Sequence, residues 1–271
     1  MKKENKLEHK VKHLIKKLGL PRWLHHYGPK KYEFYEHLVV LLVRHYCKEL
    51  SYRRTVKLFD LLGLKCASKS TLQYVMSRIS KWIWDQALLA TSGIKHHIVA
   101  LDATGFSRRN PSYYYLRKID GKMPRMHVKS SNIFDTGNQK WIAANIRVRP
   151  RHDTKDVRAL LRNLRCNKLV ADKGYDANWI HKLCINKKIE AHIPMRDKGK
   201  MIKHNHFSCR RNAAKKFKLR TYHRRELIES GYGSIKSKYG SSVGSKNAKT
   251  IRADIYCKFL CHNLLGAFST T

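Results

Sequence analysis

Acidic side chains are scarce in this sequence: 19 Asp and Glu stand against 58 Lys and Arg, which leaves a formal net charge of +39. An excess of this size excludes an ordinary metabolic enzyme as the default interpretation, because cations placed near phosphates release condensed counterions and drive association with nucleic acid. With 42% hydrophobic residues, the chain still has the material for a packed core and is not a disordered basic tail. We therefore expect a folded protein whose partner is DNA or RNA.

Long apolar runs and regularly paired cysteines are also missing. The longest purely aliphatic run covers only residues 38–43, against the roughly 20 residues that cross a bilayer, and the first ten residues contain no apolar signal segment. Seven cysteines at scattered positions favour free thiols in a reducing compartment over a disulfide framework. We expect no membrane partner and a location in the cytoplasm, associated with the nucleoid.

The hydrophobic pattern changes near residue 95 from a helical period to a period of two. The first part predicts helices over residues 4–18, 32–50, 51–62 and 70–90. The second part predicts, in order, strand 97–101, a hairpin of strands 126–134 and 140–149, helix 154–164, strand 168–171, helix 177–186, strand 191–193 and helix 222–238. This order indicates an α/β fold over 95–271, a mixed five-stranded sheet flanked by helices in the ribonuclease-H-like arrangement, preceded by an all-α region over 1–94.

The all-α region contains a candidate helix-turn-helix at about residues 51–80. Gly63 provides a turn between two helices, and Ser70 is the expected N-cap of the second one. In such a motif the N-terminal part of the second helix faces base edges, which nominates four DNA-binding residues: Thr71, Gln73, Tyr74 and Arg78. A helical hairpin that only packs would give a similar pattern, but the lysines and arginines that flank this one favour DNA recognition.

Two aspartates end buried strands in a chain that has few acids. Asp102 ends the apolar run in HIVALDATG, and Asp172 ends the run in KLVADKGYD. In both segments the carboxylate emerges where small residues and a glycine leave room for a ligand. Either aspartate alone could be a turn former or a helix cap. As a pair, they predict two carboxylates that converge on one cation.

A third acid, Glu229, lies on a predicted helix with other polar residues. Counted from Tyr222, the residues Arg225, Glu229 and Lys236 follow at steps 3, 7 and 14. At about 100° per residue these four side chains fall within an arc of roughly 60°. The alternative is a solvated helix with an ordinary i,i+4 pair between Arg225 and Glu229. Two glycines in the same segment weaken the helix prediction.

These residues together carry a family resemblance. The aspartates in LDATG and ADKGYD, followed by the spacing Y-x2-R-x3-E-x6-K, resemble the DDE transposases of bacterial and archaeal insertion sequences that carry the YREK signature. By that resemblance, the catalytic and metal-binding residues are Asp102, Asp172 and Glu229, and the residues that position transposon-end DNA are Tyr222, Arg225 and Lys236. The resemblance further implies cleavage at the element's ends and transfer of the 3′-hydroxyl into target DNA. It implies a homodimer or higher assembly on double-stranded DNA, in a prokaryotic cell.

The residue types suit that chemistry. Cleaving and joining phosphodiesters uses one metal ion to activate a water or a DNA 3′-hydroxyl and a second to stabilise the leaving oxygen. Carboxylates are the hard oxygen ligands that Mg²⁺ and Mn²⁺ prefer. We expect two Mg²⁺ or Mn²⁺ ions in each active site. Two alternatives stay open: a metal-dependent nuclease of the same fold that cuts without joining, and a catalytically silent DNA-binding protein such as a decayed transposase.

Overall fold

The computed structural model describes residues 6–24, 30–109, 127–149, 151–196 and 208–266. The chain forms two compact units: unit 1 comprises residues 1–91, 106–128 and 235–271, and unit 2 comprises residues 92–105 and 129–234. Residues 4, 5 and 126, which the sequence pattern assigns to the first helix and the second strand, lie outside the described residues. None of the helices in the described ranges is long and apolar enough to cross a membrane.

Helices dominate unit 1 and flank the sheet in unit 2. In chain order they are α1 (Lys6–Lys17), α2 (Phe34–Tyr46), α3 (Tyr52–Leu61), α4 (Lys69–Arg78), α5 (Lys81–Ser92), α6 (Val157–Leu160), α7 (Asn178–Asn186), α8 (Ser208–Lys216), α9 (Leu219–Tyr222), α10 (Glu226–Tyr239) and α11 (Ala248–Leu265). Short 3-10 turns cover Asp153–Asp156, Lys173–Tyr175 and His223–Arg225.

Helix α11 is the centre of the unit 1 core, and the sequence pattern does not predict it. It packs against α1, α2 and α4, and every residue from Thr250 to Leu264 except Arg252 is buried in the described structure. Trp84 of α5 also stacks on Tyr256, with the ring centroids 5.9 Å apart. A helix that is buried on all sides has no polar stripe, so it lacks the 3.6-residue periodicity that identifies an amphipathic helix.

The single helix predicted over residues 70–90 is two helices, α4 and α5. Ile79 is buried in an extended backbone conformation that ends α4, and the Ser80 hydroxyl accepts the Ile83 N–H at 3.3 Å at the start of α5. The N-cap of α4 is Ser68, whose hydroxyl accepts the Thr71 N–H at 3.3 Å, and not Ser70 as predicted. Ser68 has the extended backbone that a cap requires, whereas Ser70 is already inside the helix.

The strands of the described residues form one mixed sheet. Its strands are β1 (His96–Arg108), β2 (His127–Asp135), β3 (Lys140–Arg147), β4 (Cys166–Ala171), β5 (Glu190–His192) and β6 (Ser242–Val243). The order is β3-β2-β1-β4-β5, with the two-residue β6 paired to β1. Strand β4 runs parallel to both β1 and β5, and β2 and β3 form the antiparallel hairpin. This arrangement confirms the ribonuclease-H-like mixed sheet, with β6 as an addition to the five expected strands.

Two segments of unit 2 differ from their predictions. The helix expected over 154–164 is reduced to a 3-10 turn and the four-residue α6. The Asp156 carboxylate between them points inward and accepts hydrogen bonds from Ser131 at 2.9 Å and Asn145 at 2.8 Å. Helix α8, over the basic segment 208–216, is absent from the predicted order of elements and packs on α7 and β5.

Candidate active site

Asp102 and Asp172 are neighbours at the point where the pairing of two parallel strands stops. Leu101 of β1 pairs with Ala171 of β4, the last residue of β4, so the next residue of each chain segment lies at the same level, about 4.8 Å apart in the pairing direction. Strand β1 does not end at Asp102 as predicted but continues to Arg108. The Asp102 Oδ1 accepts the Ala103 N–H at 2.8 Å. Asp172 Oδ2 accepts the Gly174 N–H at 3.3 Å and caps the 3-10 turn that follows. The parallel register therefore brings the two predicted carboxylates together.

Arg225 connects Asp102 to Glu229. Its Nη1 atom lies 2.7 Å from Glu229 Oε1 and 3.6 Å from Asp102 Oδ2. The side chains of Asp102 and Glu229 are 21% and 54% exposed, so both can be reached from solvent. The i,i+4 pair weighed above as an ordinary helix feature is present, and its guanidinium also contacts the first aspartate. We call Asp102, Asp172 and Glu229 the acidic triad.

The pKa of Asp102 shows how crowded the negative charge is. Burial raises this pKa, and the charges of Glu229 and Asp172 raise it further. The Ala103 N–H and the Arg225 guanidinium lower it, but the result is a pKa above the ordinary aspartate value. The three carboxylates thus act on one another electrostatically, with Arg225 as the cation that partly compensates them.

The helix that carries Glu229 begins later than predicted. Tyr222 ends the four-residue α9, and Arg225 ends a 3-10 turn, so α10 contains Glu229 and Lys236 but neither Tyr222 nor Arg225. The helix predicted over 222–238 is therefore present with a 3-10 turn at His223–Arg225, and Arg225 lies 6.0 Å from the Tyr222 ring centroid. Lys236 falls among the residues of unit 1, where its ammonium lies 5.8 Å from the Phe106 ring and burial lowers its pKa.

Gly231 and Tyr232, which follow Glu229 and were not predicted to belong to the site, pack α10 against the sheet. A Cβ atom on Gly231 would lie 3.1 Å from Trp141 and 3.2 Å from Phe134, so only glycine fits without displacing these rings. Tyr232 stacks on Trp141 with ring centroids 4.9 Å apart, and its hydroxyl donates to the Asp102 carbonyl oxygen at 2.8 Å. The signal was the glycine itself, which weakens an isolated helix but permits close packing.

The four residues nominated on α4 share one face. Thr71, Gln73, Tyr74 and Arg78 are all exposed, and the opposite face buries Leu72, Val75 and Met76. The Arg78 guanidinium lies 5.7 Å from the Tyr74 ring centroid. Helix α4 packs against α3 across the turn at Gly63, which has a φ of +63°. These positions suit contact with a partner, and their role in base recognition stays a prediction.

A second group of acids lies in unit 1. His45, Glu49 and Asp254 each present a ligand-type atom within 4.8 Å of the others, which makes them the one such group of three within the described ranges. Two cations are already there: Arg44 Nη1 lies 2.9 Å from Asp254, and Lys258 Nζ lies 3.3 Å from Glu49. Burial would raise the pKa of Asp254, but His45 and Arg44 outweigh it and hold that pKa below its usual range. We call these five residues the buried ion cluster.

A known protein family matches more than half of this chain. A family model described as a transposase DDE domain matches residues 93–264. No curated protein matches the sequence at a significant level. The cryo-EM structure of a piggyBac transposase synaptic complex with hairpin DNA is 12% identical over 96% of this chain and 72% of that chain; its TM-score of 0.47 is too low to carry an argument. Because the family model spans more than half of the residues and includes all three acids of the triad, this chain belongs to the transposase DDE domain family.

Proposed function

We propose that this DDE-type transposase cuts DNA at the ends of an insertion sequence and joins the 3′-hydroxyls to target DNA, with the acidic triad as its catalytic metal ligands. One observation carries the assignment: the parallel pair β1 and β4 brings Asp102 and Asp172 next to each other in the middle of the sheet, where Arg225 links Asp102 to Glu229. A carboxylate whose pKa is raised by burial and by charged neighbours, as that of Asp102 is, often marks a functional site.

The donor set fits a divalent metal ion. DDE transposases generally use divalent metals, and three carboxylates are the hard oxygen ligands that Mg²⁺ and Mn²⁺ prefer. The raised pKa of Asp102 supports this fit, because burial and the neighbouring acids disfavour its ionised form and a bound cation would stabilise that form. Two such ions, when bound, would supply activation of the attacking water or hydroxyl and stabilisation of the leaving oxygen.

Arg225, Tyr222 and Lys236 would hold the DNA. Arg225 forms an ion pair with Glu229 at 2.7 Å and offsets part of the negative charge. A metal ion bound to the carboxylates would offset that charge instead, and the guanidinium would then be available to bind a phosphate. Tyr222, next to Arg225, would stack on a base or donate to a phosphate. Lys236 would add a point charge on a phosphate further along the DNA.

DNA is the partner that the charge favours. A net charge of +39 is far more than folding requires and suits a polyanion. We assign DNA recognition to the helical region 1–94, with the helix-turn-helix at about 51–80, and catalysis to 95–271. The exposed side chains of Thr71, Gln73, Tyr74 and Arg78 would contact the terminal inverted repeats.

The proposed reaction also implies an oligomeric state and a location in the cell. An element has two ends, so joining both to one target site calls for two active sites, and we infer a homodimer or higher assembly on double-stranded DNA. The substrate is chromosomal DNA, which places the protein with the nucleoid in the cytoplasm of a prokaryotic cell.

The test is a cleavage and strand-transfer assay with Mg²⁺ on DNA that carries the element's flanking inverted repeats. Glu229→Gln should abolish both nicking at the repeat tips and joined product. The matched control is Glu226→Gln, on the same turn of α10, whose side chain is 72% exposed and lies beside His223. That variant should behave as wild type, because it changes the same charge three residues away from the triad.

Each other outcome identifies a different protein. Cutting without any joined product would favour a nuclease of the same fold. Tight DNA binding without cutting, in wild type and variant alike, would indicate a silent DNA-binding protein. Equal loss in Glu226→Gln and Glu229→Gln would mean that general charge on α10 matters, and the assignment of Glu229 would be wrong.

A further inference from the structure

We propose that Asp176 is a positioning residue for Asp172, acting through Arg196 to fix the turn that carries this ligand. The proposal rests on the proposed function, because it takes Asp172 to be a metal ligand. Asp176 is the second acid of the ADKGYD segment and lies four residues after Asp172. A sequence pattern alone cannot separate the two acids, since both follow the same buried strand.

The Asp176 carboxylate is fully buried and saturated with donors. Its side chain is 0% exposed. Oδ1 contacts His181 Nε2 at 3.1 Å. Oδ2 accepts the Arg196 backbone N–H at 3.0 Å and the Arg210 Nε at 2.7 Å, and Arg210 Nη2 forms an ion pair with the same oxygen. These partners neutralise Asp176 inside the protein, so it cannot serve as a metal ligand in place of Asp172.

Arg196 transmits this anchoring back to the turn. Its Nε donates to the Lys173 carbonyl oxygen at 3.1 Å and its Nη2 donates to the Gly174 carbonyl oxygen at 2.6 Å. The turn is also closed internally, because the Tyr175 N–H donates to the Asp172 carbonyl oxygen at 2.9 Å. Arg196 thus binds two carbonyl groups of the turn that follows Asp172, and Asp176 binds the backbone N–H of Arg196.

Gly174 connects this anchored turn to the Asp172 carboxylate. Asp172 Oδ2 accepts the Gly174 N–H at 3.3 Å, so the carboxylate has its orientation only while the turn keeps its shape. Gly174 is the residue whose carbonyl Arg196 grips. Groups that orient a ligand in this way typically change metal affinity 10–100-fold when they are removed.

The experiment is a Mn²⁺ titration of the full chain without DNA, followed by electron paramagnetic resonance of free Mn²⁺, well below the melting temperature of every variant. Asp176→Asn and Arg196→Met should each weaken Mn²⁺ binding about 10–100-fold. Arg196→Lys should be intermediate, because one ammonium can hold one of the two carbonyls. Arg196 is exposed, so its variants leave the core intact. The control is Glu190→Gln on β5, which removes an acid that contacts His192 instead.

The outcomes separate this proposal from the proposed function. If Asp172→Asn leaves Mn²⁺ binding unchanged, the metal site itself is wrong. If Asp172→Asn abolishes binding while Asp176→Asn and Arg196→Met bind Mn²⁺ as wild type does, the metal site stands and the positioning role is overturned. A similar loss in Glu190→Gln would also overturn it, since any acid of unit 2 would then have the same effect.

Discussion

The two clusters of acids in this chain have opposite surroundings. In the buried ion cluster, the Glu49 and Asp254 side chains are 1% and 0% exposed, and two full cations match two carboxylates. In the acidic triad, the Arg225 guanidinium lies beside the carboxylates of Asp102 and Glu229, and both of these carboxylates can be reached from solvent. Proximity of ligand-type atoms alone would select the first cluster as a metal site. The charge balance selects the second.

The difference shows how burial and compensation separate a structural cluster from a reactive one. Buried carboxylates that are fully paired have a lowered pKa, as Asp254 has, and gain nothing from a metal ion. Burial, together with the neighbouring acids, raises the pKa of Asp102, so its ionised form gains from a cation that binds beside it. The four predictions below test this contrast, from the largest expected effect to the smallest.

Asp102→Asn tests the triad most severely. Loss of a metal ligand removes several kcal/mol of transition-state stabilisation, so we expect Mg²⁺-dependent cleavage to fall by about 10³-fold or more. The fold should not suffer, because an amide replaces a carboxylate that is partly buried among like charges. Cleavage assays and melting curves on the same preparation check both halves. A large drop in melting temperature would mean that Asp102 belongs to the structural class.

Asp254→Asn should lower the stability of the fold and leave metal binding unchanged. Removing one charge of a buried pair leaves Arg44 uncompensated, so the free energy of unfolding should fall by about 3 to 5 kcal/mol. Urea denaturation measures this. Mn²⁺ binding by the folded protein should be unchanged, because the two cations of the cluster exclude a third. If the variant keeps its stability and loses Mn²⁺ binding instead, the comparison is inverted and the buried ion cluster is the metal site.

Asp176→Asn gives a pH signature. Burial would raise the pKa of Asp176, but hydrogen bonds from His181, Arg210 and Arg196 outweigh it and lower the pKa to about 2. Because the unfolded value is about 3.9, the ionised carboxylate contributes about 2 to 3 kcal/mol above pH 5, and this contribution is lost as the pH falls through the folded value. Urea midpoints should therefore separate wild type from variant at pH 6, with about half of the difference left near pH 3. A gap that does not depend on pH would mean that the lost stability has no electrostatic origin.

The glycines of α10 form a matched pair. Gly233 has open space where a Cβ would go, so Gly233→Ala should stabilise the protein by about 0.5 to 1 kcal/mol through helix propensity. Gly231→Ala gains the same propensity but presses on Phe134 and Trp141, and overpacking of about 1 to 3 kcal/mol should make the net change destabilising. Cleavage should also decrease in Gly231→Ala alone, because Glu229 moves with the helix. Equal melting temperatures in the two variants would show that the Phe134 and Trp141 rings move aside to accept the added methyl group.

The sequence predicts the parts of the site that depend on strands. An apolar run followed by an acid locates Asp102 and Asp172, and the ribonuclease-H-like order of elements brings them together in register. It does not predict Asp176, because the two acids of ADKGYD differ only in the direction in which they point. It also misses α11, which is buried on all sides, and the break between Tyr222 and Glu226, which depends on local backbone geometry rather than on periodicity.

The Arg44–Asp254 ion pair of unit 1 joins residues that are 210 positions apart. At a synthesis rate of about 5 to 20 residues per second, a ribosome delivers Asp254 roughly 10 to 40 seconds after Arg44. During that time the apolar faces of α1, α2 and α4 await the helix that covers them, and Arg44 has no carboxylate from α11. The helical N-terminal region therefore completes its core only after the catalytic segments have been made. Nascent or prematurely terminated chains should be substrates for chaperones and proteases rather than free DNA-binding fragments.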